Sequence, residues 1–518
     1  MAPAVGARSF TRGARDVRRR AARKRAPGEQ QLGPLLRSHL RRVPRAAWVC
    51  ALVAFLNAAC WSVISPPFEI PDEPSHVAYV QRLAETGQLP TSSAETFPPA
   101  EYTILNDLHY SQVRYHSEQG TISTPAEQHK LESDLAKPLA RSGGEGSTGV
   151  SASQPPLYYA LQTIPYALAS VGNLLDQDAL MRLLSALMGG VTALFAFLFV
   201  REALPGARWA WTVGGLGVAL TPLFGELSGA VNPDAMLFAV SAALFYCLAR
   251  GFRRGITPRL AAATGAVLAV GVCTKLNFVG LLPGAILGVL ALCAIEWRSS
   301  RRSAYRCLAL ALGIGATPIV LYGIVNVFSG QPAGGAFASL VAFAGKGGAT
   351  LGEIGYIWQF YLPRLPGMSP DFHGILTTQV FWFDGMVGLY GWLDATFPSW
   401  VYSVALIPAG LLALLLARAL FLYRGALRSR ALEVAVYMAM GLGLLILIGG
   451  DDYAHKIPGE YAEPRYLLPL LALWGAVLAL AARGAGRRWG PIVGVAIVSL
   501  VLAHDIFSQL LVISRYYG

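Results

Sequence analysis

Long apolar runs recur along the chain, and the loops between them alternate between arginine-rich and arginine-poor. That alternation constrains the fold more than any other feature. Runs near 46–65, 181–201, 207–227, 233–250, 258–275, 277–297, 303–328, 396–421, 431–450, 465–483 and 489–513 each approach the ~20 residues that carry a helix across a bilayer. Arg201 and Arg208 share one loop, and Arg250, Arg253, Arg254 and Arg259 share another. Arg298, Arg301, Arg302 and Arg306 follow, then Arg424, Arg428 and Arg430, then Arg483, Arg487 and Arg488. Cytoplasmic loops collect Lys and Arg, which puts all of these on one face, together with the N-terminal tail. The pattern predicts an all-α polytopic membrane protein with about 11 transmembrane helices and a large first extracytoplasmic loop.

Composition agrees: 54% of residues are hydrophobic and 14% charged, well under the ~25% charged of soluble domains. The formal charge of +12 does not indicate nucleic acid, because residues 1–45 hold 13 Lys/Arg against only Asp16 and Glu29. With almost no apolar content, that segment reads as a disordered basic cytoplasmic tail that orients the first helix. A headgroup-binding patch is its other reading. It does not read as a secretory signal, since the charged region is too long and no small-residue cleavage site follows. The six cysteines lie in or beside spans and form neither a disulfide framework nor a CxxC metal pair.

Residues 46–515 form the transmembrane domain, with outer loops at 66–180, 329–395 and 451–464. The segment "QPPLYYALQTIPYALASVG", 154–172, is apolar enough to suggest another span. A crossing there would invert every later loop and turn the arginines outward, so it is expected to lie along the outer surface or dip in and return. Its Tyr158, Tyr159 and Tyr166 suit an interface. The first loop is acidic, with "SGGEGSTG" as a flexible break and amphipathic helices on either side. No internal repeat marks the duplicated halves of a transporter.

The most polar cluster of that loop follows the first span directly: "PPFEIPDEPSH", 66–76. Asp72 is placed to cap a helix with Pro74 in its first turn, Val77, Val80, Leu83 and Ala84 on one face, and Gly87 at its stop. Polar groups recur at the same outer rim: Asn232 and Asp234 in "VNPDA", Lys275 and Asn277 in "CTKLN", and Asp451, Asp452, His455, Lys456, Glu460, Glu463 and Arg465 in "DDYAHKIPGEYAEPRY". Each alone reads as a solvated cap. Their shared side predicts one outward-facing polar cavity at the membrane boundary, because charge near lipid is costly unless paired or functional.

"PPFEIPDEPSHVAYVQRLAETGQLP", "SQPPLYYALQTIPYAL", "MRLLSALMGGVTALFAF", "LSGAVNPDAMLFAVSAALF", "CTKLNF", "FDGMVGLYGWLDATFPSW" and "EPRYLLPLL" occur in that order. With these, the chain resembles the bacterial membrane proteins of domain-of-unknown-function family 2142, which in turn resemble the C-class (GT-C) glycosyltransferases. The resemblance implies a GT-C-like fold and the transfer of a sugar from a polyprenyl-phosphate donor to a glycan or glycolipid acceptor outside the cytoplasm. An acid in the first outer loop would be the base. On that basis Asp72 is expected as general base, with Glu73 orienting the acceptor or supporting Asp72. His76, Gln154, Asn232, Asp234, Lys275, Tyr461 and Arg465 are expected around acceptor and donor, with Arg465 and Lys275 nearest the carrier phosphate. For Arg465, a structural salt bridge to Glu463 or Asp452 is an equal reading. Asp234 reads equally as a charge favoured at a helix start.

Other signals are weaker. "DQD", 176–178, looks like the motif of nucleotide-sugar enzymes but reads better as a helix-start charge. Glu73 and His76 have the Glu-x-x-His spacing of carboxylate metal sites, so Asp72, Glu73 and His76 are candidate ligands for a divalent ion (Mg or Mn). His504–Asp505 within the last span reads as a packed pair rather than a proton relay. The aromatic stretch 381–392 reads as a membrane-surface contact. A flippase, transporter or ligase for lipid-linked envelope glycans is the alternative to a transferase; the rim position of the charges favours catalysis. The expected location is the cell membrane, with the N-terminus cytoplasmic and the active site outside.

Overall fold

The computed structural model describes residues 43–91, 94, 96–141, 148–328, 351–368, 379–455 and 463–518, and Val49–Gly518 forms one compact unit. The basic tail to residue 42, and Lys456, Glu460 and Tyr461, lie outside the described residues. The described chain is almost wholly helical; its one two-residue hairpin pairs Leu389 with Thr396 and Tyr390 with Ala395.

Helix α1 (Arg45–Ile64) is followed in the first loop by α2 (Glu73–Thr86), α3 (Pro99–Asp107), a single turn of helix at Tyr110–Val113, α4 (Pro125–Leu135) and α5 (Leu157–Leu168). The membrane bundle resumes with α6 (Leu174–Ala203), α7 (Arg208–Ala219), α8 (Pro222–Ser228), α9 (Asp234–Arg254), α10 (Pro258–Val272), α11 (Leu282–Trp297) and α12 (Arg301–Phe328). Beyond it come α13 (Leu351–Tyr361), α14 (Ser399–Leu422), α15 (Ala431–His455), α16 (Leu471–Gly484) and α17 (Gly486–Tyr517).

Among the described residues, nine helices are long and apolar enough to cross a membrane, against the eleven expected. The other two exist as helices but are short or interrupted. The run 207–227 breaks at Thr221, because Pro222 has no N–H to give and crowds the preceding turn. The carbonyl of Ala219, freed by that break, accepts from the Asn57 amide at 3.2 Å. The run 258–275 yields only the 15 residues of α10, about 22 Å of helix.

The segment 154–172 does not cross: α5 spans 12 residues, or about 18 Å. Its tyrosines do not face an interface as expected. Tyr158 and Tyr159 are fully buried, and Tyr158 shares a hydrogen-bonded cluster with Ser185 and Gln162. The stretch 381–392 likewise turns inward, with Phe381, Tyr390 and Trp392 all buried. His504 and Asp505 take the packed role expected of them: Asp505 accepts from Trp61 Nε1 at 3.0 Å and from Gln509 at 3.2 Å. Asp176 closes a reciprocal cap with Asn173 at the start of α6, as a helix-start charge should.

Two charged ends organise the bundle. At one, the carboxylate of Glu202 is buried among Arg201, Arg253 and Arg254, while Arg430 donates to the Ala203 carbonyl. Three of the arginine-rich loops therefore meet at a single end. At the other end of α6 stands Arg182, about 30 Å along the same helix, close to one hydrocarbon thickness. Helix α9 lies at the centre, with 83% of its apolar window covered by protein, whereas α14 is covered over only 6% and faces outward.

Helices α7 and α16 cross at backbone contact: a Cβ on Gly214 would lie 2.6 Å from the Gly475 carbonyl oxygen. Gly475→Val is expected to push the pair apart and lower stability by about 1–3 kcal/mol. A reduced midpoint in a thermal-unfolding assay of the detergent-solubilised protein checks this.

Candidate functional site

Leaving α1, the chain runs through Pro66 and Pro67 and then adopts left-handed backbone at two non-glycine residues, Phe68 (φ 69°) and Asp72 (φ 67°). Such conformations persist only where surrounding contacts over-determine them. Here the Phe68 N–H donates to Glu73 Oε2 at 3.0 Å, and the Phe68 carbonyl accepts from Trp392 Nε1 at 3.2 Å. The Pro71 carbonyl accepts from Asn232 Nδ2 and Arg465 Nη1, each at 3.4 Å. The loop is thus held from α6, from the segment before α9, from the hairpin and from the turn before α16.

Glu73 is the centre of this bracing. Its buried carboxylate takes Arg182 Nε at 2.9 Å and Nη2 at 2.5 Å, the Phe68 N–H, and the Val231 N–H at 2.9 Å. Four donors fill the roughly four lone-pair positions of a carboxylate. Arg182 spends its remaining N–H groups on the carbonyls of Ser62, Ser65 and Pro66, and pairs with Asp178 at 2.9 Å. This geometry fits Glu73 to support rather than to contact with an acceptor.

Asp72 is different. Helix α2 begins, contains Pro74 and stops at Gly87 as the sequence predicts, but the Asp72 side chain makes no capping hydrogen bond. Its left-handed backbone turns the carboxylate away from the helix and onto Arg465 Nη2, 2.5 Å distant. The side chain keeps 25% of its surface exposed, while that of Arg465 keeps 3%. Arg465 also lies 2.8 Å from Glu463 and stacks over the Tyr466 ring at 5.3 Å. Lys275 pairs with Asp234 at 2.7 Å and lies 5.7 Å from the centre of the same ring. Asn232 Oδ1 accepts from the Asp234 N–H at 3.0 Å, joining α9 to the cluster.

Burial opposes ionisation of Asp72, but the cations beside it, Arg465 first and then Lys275, outweigh it and hold the carboxyl below its ordinary 3.8. For Glu463 burial wins over Arg465, and its carboxyl moves up. His76 is buried beside two cations. Desolvation, aided by Lys275 and Arg465 against the pull of Asp72, drives it down to about 3, so its ring is neutral. Its Nδ1 sits 2.9 Å from the Tyr159 hydroxyl, and Tyr159 stacks on Tyr79 at 3.8 Å.

The structure therefore brings Asp72, His76, Asn232, Asp234, Lys275 and Arg465 to one end of the bundle. Gln154 does not join this group; its backbone carbonyl lies 3.5 Å from the Tyr79 hydroxyl. Of the two partners weighed for Arg465, Glu463 is the one it meets; Asp452 instead accepts from Tyr356. The candidate metal trio does not assemble. Glu73 points to Arg182, Asp72 to Arg465 and His76 Nδ1 to Tyr159, and no group of three His, Cys, Asp or Glu among the described residues converges as metal ligands. Sequence reasoning missed Arg182, whose signal was an arginine inside an apolar run four residues after Asp178. It also missed the inward roles of Tyr159 and Trp392, for which the local sequence held no signal.

Residues 55–474 match the family described as predicted membrane protein, DUF2142, and the chain belongs to that family. No curated protein sequence matches it. Among solved structures it is similar to ArnT from Cupriavidus metallidurans in the apo state, at 14% identity and a TM-score of 0.45, covering 90% of this chain and 72% of that one. The undecaprenyl-phosphate-bound form of that ArnT gives 14% identity and 0.46, covering 90% and 75%. The apo oligosaccharyltransferase of Archaeoglobus fulgidus gives 12% and 0.43, and this chain covers 56% of its length.

Two outcomes follow. Arg182→Met leaves the Glu73 carboxylate buried without its partner, and is expected to cost about 3–5 kcal/mol. Loss of monodisperse protein on size exclusion, partly restored by adding Glu73→Gln, checks it. Glu69 is raised from 4.5 to about 8 by burial first, with Asp394 and Glu73 adding to it against Arg515 and Arg114. The folded chain then keeps a proton that the unfolded chain releases. That stabilisation is full below pH 4.5 and fades as pH rises towards about 8. Measured against the unsubstituted protein, the unfolding midpoint of Glu69→Gln should therefore gain as pH rises across that window.

Proposed function

We propose that the chain is a membrane glycosyltransferase that moves a sugar from a polyprenyl-phosphate donor to an extracytoplasmic glycan or glycolipid acceptor, with Asp72 as general base. One observation carries the reading: Asp72 is the most open carboxylate of its cluster, its side chain 25% exposed against 15% for Glu463 and 2% for Asp234, and its partner is a guanidinium. In the reaction the acceptor hydroxyl oxygen attacks the anomeric carbon while Asp72 takes its proton. The anomeric C–O bond to phosphate breaks, and the bonding pair leaves with the polyprenyl phosphate. Attack opposite the leaving group inverts the anomeric centre.

Arg465 has two uses in this scheme. At rest it keeps Asp72 ionised. An incoming phosphate competes for the same guanidinium, and as Arg465 turns to it the Asp72 carboxylate gains proton affinity just where a base is needed. Arg465 and Lys275 then oppose the charge building on the leaving phosphate. His76, neutral and fixed by Tyr159, offers a hydrogen bond rather than a charge. Glu73 positions Asp72 through the loop that both share. No step is routed through a divalent ion, because Asp72, Glu73 and His76 are committed to other partners. The arginine-rich end is cytoplasmic in this reading, and the Asp72 end faces outward across the cell membrane.

Purified protein is to be incubated with a panel of radiolabelled polyprenyl-phosphate sugars and an envelope glycan extract. Acceptor-dependent release of polyprenyl phosphate is expected, and Asp72→Asn should lower it by about 10²–10⁴-fold. Undiminished release in that variant would remove the mechanism. With Asp72 held below 3.8, kcat/KM should stay level as pH falls to about 4 and decline only beneath it.

A further inference from the structure

A concavity lies in the first outer loop, lined by none of the residues of the Asp72 cluster described above. It measures about 430 Å³, within the range of small-molecule sites, and opens between the start of α3 and the turn Tyr110–Val113. Its walls combine the rings of Phe97 and Tyr102, the polar groups of Thr103, Asn106 and Ser111, and the guanidinium of Arg114. Among the described residues, no carboxylate and no lysine lines it. Tyr102 is 60% exposed, a large ring left open at the rim.

We propose that this pocket is a carbohydrate subsite that holds the glycan of the acceptor, an inference that rests on the transferase reading above. Flat aromatic faces accept the C–H face of a sugar ring, while hydroxyl, amide and guanidinium groups take its hydroxyls. The Arg114 guanidinium in its wall favours glycans that carry carboxylate substituents. The pocket is built into the same frame as the catalytic loop. Arg114 lies 4.9 Å from the Trp392 ring, and Tyr110 meets that ring edge-on at 5.9 Å. Trp392 donates to the Phe68 carbonyl, four residues before Asp72. A glycan gripped here is thereby referenced to the loop that carries the base.

The test is a binding measurement that needs no turnover. Saturation-transfer NMR is run on the full chain in nanodiscs with maltotriose, an arabinan oligosaccharide and an oligogalacturonide. At least one probe is expected to bind, the oligogalacturonide best. Tyr102→Ala with Asn106→Ala, both exposed positions, should weaken it at least ten-fold without lowering the unfolding midpoint. Binding of none of the three, or binding indifferent to the double substitution, would overturn the proposal. Failure of the transferase reading has another signature: glycan binding with no release of polyprenyl phosphate from any donor.

Discussion

The buried pair of Glu73 and Arg182 is the contact on which the rest of the site depends. A charge pair this far from water is retained only if nearly every polar atom on both sides is satisfied. Glu73 meets that condition with two guanidinium bonds and two backbone N–H groups drawn from Phe68 and Val231. Arg182 meets it with three carbonyls at the end of α1 and the start of the loop. One ion pair thereby fastens α1, α6, the turn before α9 and the loop 65–73 to each other. Neither residue can turn elsewhere without leaving the other's charge stranded.

That rigidity has a chemical consequence at the next residue back. With Glu73 pinned inward and Pro71 and Pro74 restricting the backbone on both sides, Asp72 takes a left-handed conformation and projects away from the helix it would otherwise cap. It meets Arg465, which reaches the loop from the far end of the sequence. Adjacent acids thus have opposite fates. Glu73 is saturated with donors and holds the loop. Asp72 has one strong partner, Arg465, and some open surface.

The hairpin at 389–396 extends the same frame outward. Trp392 fixes the Phe68 carbonyl on one side and packs against Arg114 and Tyr110 on the other. Its aromatic composition suggested a membrane-surface contact, because aromatic residues at a predicted rim usually serve that purpose. The rings are buried in protein instead, and their partners lie hundreds of residues away in sequence.

The sequence by itself determined what depends on local pattern. Apolar run length and the placement of arginines decided that the chain is a bundle of membrane helices, and three of the arginine loops do meet at one end. Asp72, Pro74 and Gly87 marked the start and stop of α2. The shared rim of Asp72, Asp234, Lys275 and Arg465 was legible because charge beside an apolar run is rare enough to be counted. Pro222 was visible, but whether it kinks or breaks a helix depends on what can satisfy the freed carbonyl, and only the fold supplied Asn57. Tertiary structure alone decided which acid is saturated with donors and which keeps a single partner and some open surface. The sequence writes Asp72 and Glu73 side by side as near equals. Arg182 lies 109 residues beyond Glu73 and Arg465 lies 393 beyond Asp72, so no local rule could assign the partners that separate their roles.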